Sequence, residues 1–138
     1  MIGTLIYGLT IGGILYIISI GLSLTFGTMR IVNFAHAFIY ALGAYLLIAA
    51  FRKMGLNFLA AAGFGVLAVL PVAYVIEACV IRRLYGESLD YAIIATYAVL
   101  LIGVDLIKWV WGASPISLSD PIGRDVEILG VSLPVYRL

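Results

Sequence analysis

No charged side chain precedes Arg30, and the run from Ile2 to about Thr28 is long enough to cross a hydrocarbon layer of ~30 Å as a helix rising ~1.5 Å per residue. A small water-facing domain has no core large enough to hide such a run. The rest of the sequence repeats the difficulty. Hydrophobic residues make up 64% of the 138 and charged residues 11%, so lipid must be the solvent for most of the surface. The expected fold is all-α: a multi-pass transmembrane helical bundle of about four spans, with a broken or polar-start second helix. Residues 1–112 form the membrane domain, with spans at about 2–28, 31–51, 56–81 and 91–111. Residues 113–138, rich in Ser, Pro and charge, read as an extracytoplasmic loop in which Val126, Ile128, Val131 and Leu133 alternate as a short strand or interfacial segment would.

The first run lacks a basic leading region and exceeds the apolar part of a signal peptide, so it reads as a span that stays in place. Its small and hydroxyl residues Gly8, Gly12, Ser19, Ser23 and Gly27 fall within an arc of about 100° on a helical wheel. Gly8 and Gly12 have the small-xxx-small spacing that lets two backbones approach in lipid, so this face is expected to pack against another helix. A pore-lining role is the alternative. In the third run Pro71 removes a backbone donor and is expected to kink the helix. Trp109 and Trp111 mark the interfacial end of the fourth. The lone Cys79 excludes an internal disulfide and suits apolar packing.

A net charge of +1 gives no broad field for nucleic acid, and no nucleic-acid partner is expected. Local charge is more telling. Glu77 stands close enough to Arg82 to share an interface with it, and Asp105 and Lys108 share a helix face and can neutralise each other. With the N-terminus outside, Arg30, Arg82 and Arg83 lie on the cytoplasmic side and Arg52, Lys53, Arg124 and Arg137 outside. That orientation is preferred because Arg82 and Arg83 begin a short polar loop.

The most unusual stretch opens the second span. If that span is helical from its start, Asn33, His36, Ala37, Tyr40, Gly43 and Ala44 share an arc of about 120°, extended one turn by Arg30. A polar, aromatic and small face is disfavoured against lipid and should point into protein or water. Three readings remain open: Asn33 and His36 cap a helix break, they line a substrate route, or they serve a metal or proton relay. One His without nearby Cys, Asp or Glu makes a poor metal site. No catalytic grouping is recognisable, neither a nucleophile with its base, nor paired carboxylates, nor a phosphate loop, so an enzyme is not expected.

The stretch from Gly21 to His36, GLSLTFGTMRIVNFAH, continued by Tyr40-Ala41-Leu42-Gly43-Ala44-Tyr45, resembles the permease subunits of bacterial branched-chain amino acid ABC transporters. Arg82-Arg83-Leu84-Tyr85-Gly86 and the block from Ala95-Thr96-Tyr97 to Trp111-Gly112 resemble the same family in the same order. The resemblance implies an importer subunit in the bacterial plasma membrane that works by alternating access. Its implied partners are a second homologous permease, two cytoplasmic ATPase subunits and an extracytoplasmic substrate-binding protein. It implies no cofactor in this chain, ATP being hydrolysed by the partner subunits.

On this reading Asn33, His36 and Tyr40 supply polar groups to the substrate path and Phe34 an apolar one. Gly8, Gly12, Gly27 and Gly43 serve helix packing, and Arg82, Arg83, Tyr85 and Gly86 form the loop that contacts an ATPase. Two features depart from the family pattern. Ala37 stands where a glycine is usual, and family members run well beyond this length, which implies a truncated or split permease. A permease for urea or short amides, and a structural membrane subunit without its own route, are the alternative functions.

Overall fold

A computed structural model describes residues 2–114, 116, 125–128 and 131–134. Four helices long and apolar enough to cross a membrane occur among them: α1 (Ile2–Met29), α2 (Ala35–Lys53), α3 (Phe58–Cys79) and α4 (Leu89–Trp111). A short 3₁₀ turn, Ile81–Leu84, joins α3 to the loop before α4. Strands β1 (Asp125–Ile128) and β2 (Val131–Pro134) pair antiparallel, with Val126 opposite Leu133 and Ile128 opposite Val131, so the alternation expected to give a short strand gives a pair of them. Most of the expected 113–138 loop lies outside the described residues.

The chain divides into two compact units, residues 1–21 with 116–138, and residues 22–115. The first holds most of α1 and the hairpin. No described side chain of α1 is buried, and Leu5, Leu9, Tyr16 and Ile17 are more than two-thirds exposed, which only an apolar surrounding tolerates. The hydroxyls of Thr10, Ser19, Thr25 and Thr28 are satisfied from within this helix. Thr10 donates to the Ile6 carbonyl at 3.0 Å and Ser19 to Leu15 at 2.8 Å, so each can face acyl chains without an unmet donor.

In the second unit α2 is central, packing against α3 along one seam and α4 along another. The α2–α3 seam is tight because Gly65 has no side chain. A Cβ there would lie 2.9 Å from the Gly43 carbonyl oxygen and 3.2 Å from Leu47 Cβ, so the two backbones are nearly in contact. In the other seam the Phe38 ring occupies the space a Cβ on Gly103 would need, its Cγ and Cδ2 lying 2.3 Å from that position. Ile31, Ala35, Phe38, Ile76, Ile81, Ala92 and Ile107 form one buried cluster that joins α2, α3, the 3₁₀ turn and α4.

Local chemistry sets the helix ends. Asn57 caps α3 by accepting from the Ala60 N–H at 2.8 Å, and Gly112 closes α4 at φ +91°, a backbone angle that glycine adopts without steric cost. Helix α3 continues through Pro71 as a single helix, although the proline withholds one N–H from it. The expected Asp105–Lys108 pair forms, Lys108 donating at 3.1 Å, and Arg82, expected only to share an interface with Glu77, grips it with two hydrogen bonds of 2.9 and 3.2 Å. Trp111 stacks at a tilt on Tyr45 with centroids 5.5 Å apart, while Trp109 is 85% exposed at the same end.

Candidate functional site

The second span is not helical from residue 31. Arg30 to Asn33 are non-helical, Phe34 is a turn, and α2 starts at Ala35. The interruption begins at Arg30, which closes α1 by donating its N–H to the Phe26 carbonyl at 2.8 Å with φ +54°. This left-handed conformation costs a residue with a Cβ roughly 1–2 kcal/mol, and glycine is the usual occupant of such a helix end. Because the helix starts four residues late, Arg30 and Asn33 fall outside the shared arc, which holds for His36, Ala37, Tyr40, Gly43 and Ala44 within α2.

Asn33 is 6% exposed, and its Oδ1 is sealed from solvent with no hydrogen-bond partner. It does not cap the helix. Phe34 occupies the cap position, with φ −67° and ψ −22° and no side-chain bond, and the His36 N–H reaches the Asn33 backbone carbonyl at 3.3 Å. The capping explanation for Asn33 therefore fails, and a buried acceptor without a donor costs about 1–3 kcal/mol.

The backbone beside it is held from α4. Thr96, fully buried, places its Oγ1 3.0 Å from the Val32 carbonyl oxygen, 2.8 Å from that of Ala92 and 3.3 Å from that of Ile93. Its neighbour Tyr97 meets the Phe34 ring edge to face, with centroids 5.9 Å apart. Thr96 lies seven residues into α4, which puts the break about 10 Å below the start of that helix.

The structure thus brings Asn33 and Phe34 together and adds Thr96 and Tyr97. His36, half-buried, lies in the first turn of α2, and Tyr40, 54% exposed, follows one turn later. A Cβ at Gly8, Gly12 or Gly27 would meet nothing within 4 Å. Gly43 enters a seam through its carbonyl, with its own Cβ position open. In the polar loop Arg82 is engaged by Glu77, Arg83 is exposed, Gly86 turns the chain at φ +88°, and the Tyr85 hydroxyl donates to Met29 Sδ at 3.4 Å, one residue before the break. No group of three His, Cys, Asp or Glu among the described residues could hold a metal ion.

Sequence reasoning did not single out Thr96, Gly65 or Gly103. The available signal was slight: a hydroxyl inside an apolar run, and two glycines in the interiors of helices where glycine is costly.

Membrane-length helices interrupted by a polar, incompletely satisfied segment are a build found in membrane transport proteins. The model of the family described as the permease component of branched-chain amino acid transport systems matches residues 4–132, and the chain belongs to that family. Among curated proteins it is similar to the high-affinity branched-chain amino acid transport system permease protein LivH of Salmonella typhimurium strain LT2 and of Escherichia coli K12. Each is 34% identical over 89 residues, covering 60% of this chain and 25% of the relative. The match thus spans about a quarter of the length of those relatives. No solved structure matches the chain.

Proposed function

We propose that this protein is a membrane permease subunit of an ABC importer for branched-chain or related small amino acids. It works by alternating access driven by separate ATPase subunits, with a homologous second permease and an extracytoplasmic binding protein as partners. It lies in the bacterial inner membrane with its N-terminus outside, binds no cofactor itself, and presents the Arg82–Gly86 loop to an ATPase. Membership of the permease family supports the class of cargo.

One observation carries the route: the amide oxygen of Asn33, sealed and unpartnered at a break inside the membrane domain. A buried acceptor kept at a cost is suited to an N–H donor that arrives and leaves, as the ammonium of an amino acid does, while Phe34 offers an apolar edge to an aliphatic side chain. His36 stands next to them at the start of α2.

The test is uptake of labelled leucine by the assembled transporter in vesicles, with excess isoleucine or urea as competitor. Isoleucine should suppress uptake and urea should not, because a pocket shaped for a branched chain has no counterpart for urea. Asn33→Ala and His36→Ala should each lower uptake at normal membrane levels. Full uptake in both variants would remove this assignment, and suppression by urea would move the protein to amide transport.

A further inference from the structure

The Thr96 hydroxyl has one proton and three carbonyl oxygens within 3.3 Å. Two of these, on Ala92 and Ile93, belong to its own helix and stay in place whatever its surroundings do. The third, on Val32, belongs to the break and is 64 residues away in sequence. The hydroxyl can therefore donate across to the break or turn back to its own helix, and in neither position is its proton left without an acceptor.

This asymmetry matters because the segment it holds is poorly anchored otherwise. Arg30 holds a left-handed backbone, Asn33 keeps an unmet acceptor, and the bonds that begin α2, His36 N–H to Asn33 and Ala37 N–H to Phe34, are long at 3.3 and 3.2 Å. On closed packing, Ile31 is buried in the cluster shared with Ile81 and Ala92, and Phe34 leans on Tyr97. The polar loop also reaches this place, through the Tyr85 hydroxyl on Met29.

We infer that Arg30–Phe34 is a moving gate and that Thr96 is its positioning residue, a latch that holds the gate on α4 by the bond to Val32 and releases it by turning to Ala92. Release strands only the Val32 carbonyl, and it uncovers the Asn33 amide. The inference rests on the permease reading for its purpose and deepens it: Asn33 meets the cargo only when the latch is open.

The latch is read without any cargo. In the assembled transporter with Cys79→Ala, a single thiol is introduced by Ile31→Cys, at a position 4% exposed, and its labelling by a water-soluble maleimide is timed from both membrane sides. Thr96→Val, which keeps the shape and removes the donor, should raise the labelling rate about tenfold, and Thr96→Ser should restore it to within about twofold of the parent. A thiol at Ala50→Cys, buried near the other end of α2, should not respond.

An unchanged rate at Ile31→Cys in Thr96→Val overturns the latch, and so does an equal rise at Ala50→Cys, which would mean general loosening. Should Thr96→Val not accumulate, hydrogen exchange on the unaltered protein decides. The amides of Ile31–Phe34 should exchange at least tenfold faster than those of Ala92–Thr96, and equal protection refutes the gate. If labelling behaves as expected while leucine uptake is absent, the substrate assignment falls and the gate stands.

Discussion

Replacing Gly103 by alanine tests the α2–α4 seam most directly, because the structure fixes what the added methyl would strike. Its carbon would lie 2.3 Å from Phe38 Cγ and Cδ2 and 2.7 Å from Cδ1, against an ordinary carbon–carbon separation of ~3.5–4.0 Å. The ring would have to retreat by roughly 1.2–1.7 Å. It has little room to do so: Phe38 is 6% exposed and belongs to the buried cluster with Ala35, Ala92 and Ile107. The clash involves the first ring carbon, so turning the ring about its axis gives no relief. Overpacking of this kind costs about 1–3 kcal/mol, and the better helix propensity of alanine returns up to about 1 kcal/mol, leaving a net loss near 1–2 kcal/mol. Unfolding in mixed micelles, followed by helicity against denaturing detergent, should show this loss for Gly103→Ala. In a Phe38→Ala background the same substitution should become neutral or mildly stabilising, since nothing then occupies the space. An identical cost in both backgrounds, or no cost in the parent, would refute the seam as described.

Gly65→Ala should be at least as damaging, because its methyl meets the backbone carbonyl of Gly43 at 2.9 Å, whereas Gly43→Ala adds a methyl to open space and should be as stable as the parent or up to about 1 kcal/mol more so in the same titration. Arg30→Gly should stabilise the protein by about 1 kcal/mol by relieving the left-handed backbone, and a lower unfolding midpoint would contradict that account. Asn57→Ala removes the cap of α3 and should cost about 1 kcal/mol, with Asn57→Asp close to neutral; no loss in Asn57→Ala would show that the cap contributes nothing.

What the sequence disclosed was whatever depends on near neighbours along the chain. The uncharged run to Thr28 marks α1, the spacing of Asp105 with Lys108 announces their ion pair, the nearness of Glu77 to Arg82 announces a shared interface, and the alternation after Asp125 announces a short strand. What it withheld depends on elements meeting in space. The polar start of the second span was visible, yet its length was not, because the non-helical path of Arg30–Asn33 includes a contact from Val32 to a hydroxyl 64 positions further along the chain. Asn33 accordingly lies outside α2, while Tyr40 lies within it. Glycines behaved likewise. The stripe on α1 was visible as a pattern, but contact requires a facing residue, and the glycines that do face one, Gly65 and Gly103, show no periodic sign.

The aromatic ring seated over Gly103 acts as a key in a slot. Sliding α4 along α2 by one turn would bring Val99 or Ile107 beneath the ring, where neither fits, and turning α4 about its own axis would sweep Ile102 or Val104 into it. These two helices are thereby indexed to each other and must travel together. Any rearrangement in this half of the molecule is left to the joints outside that pair.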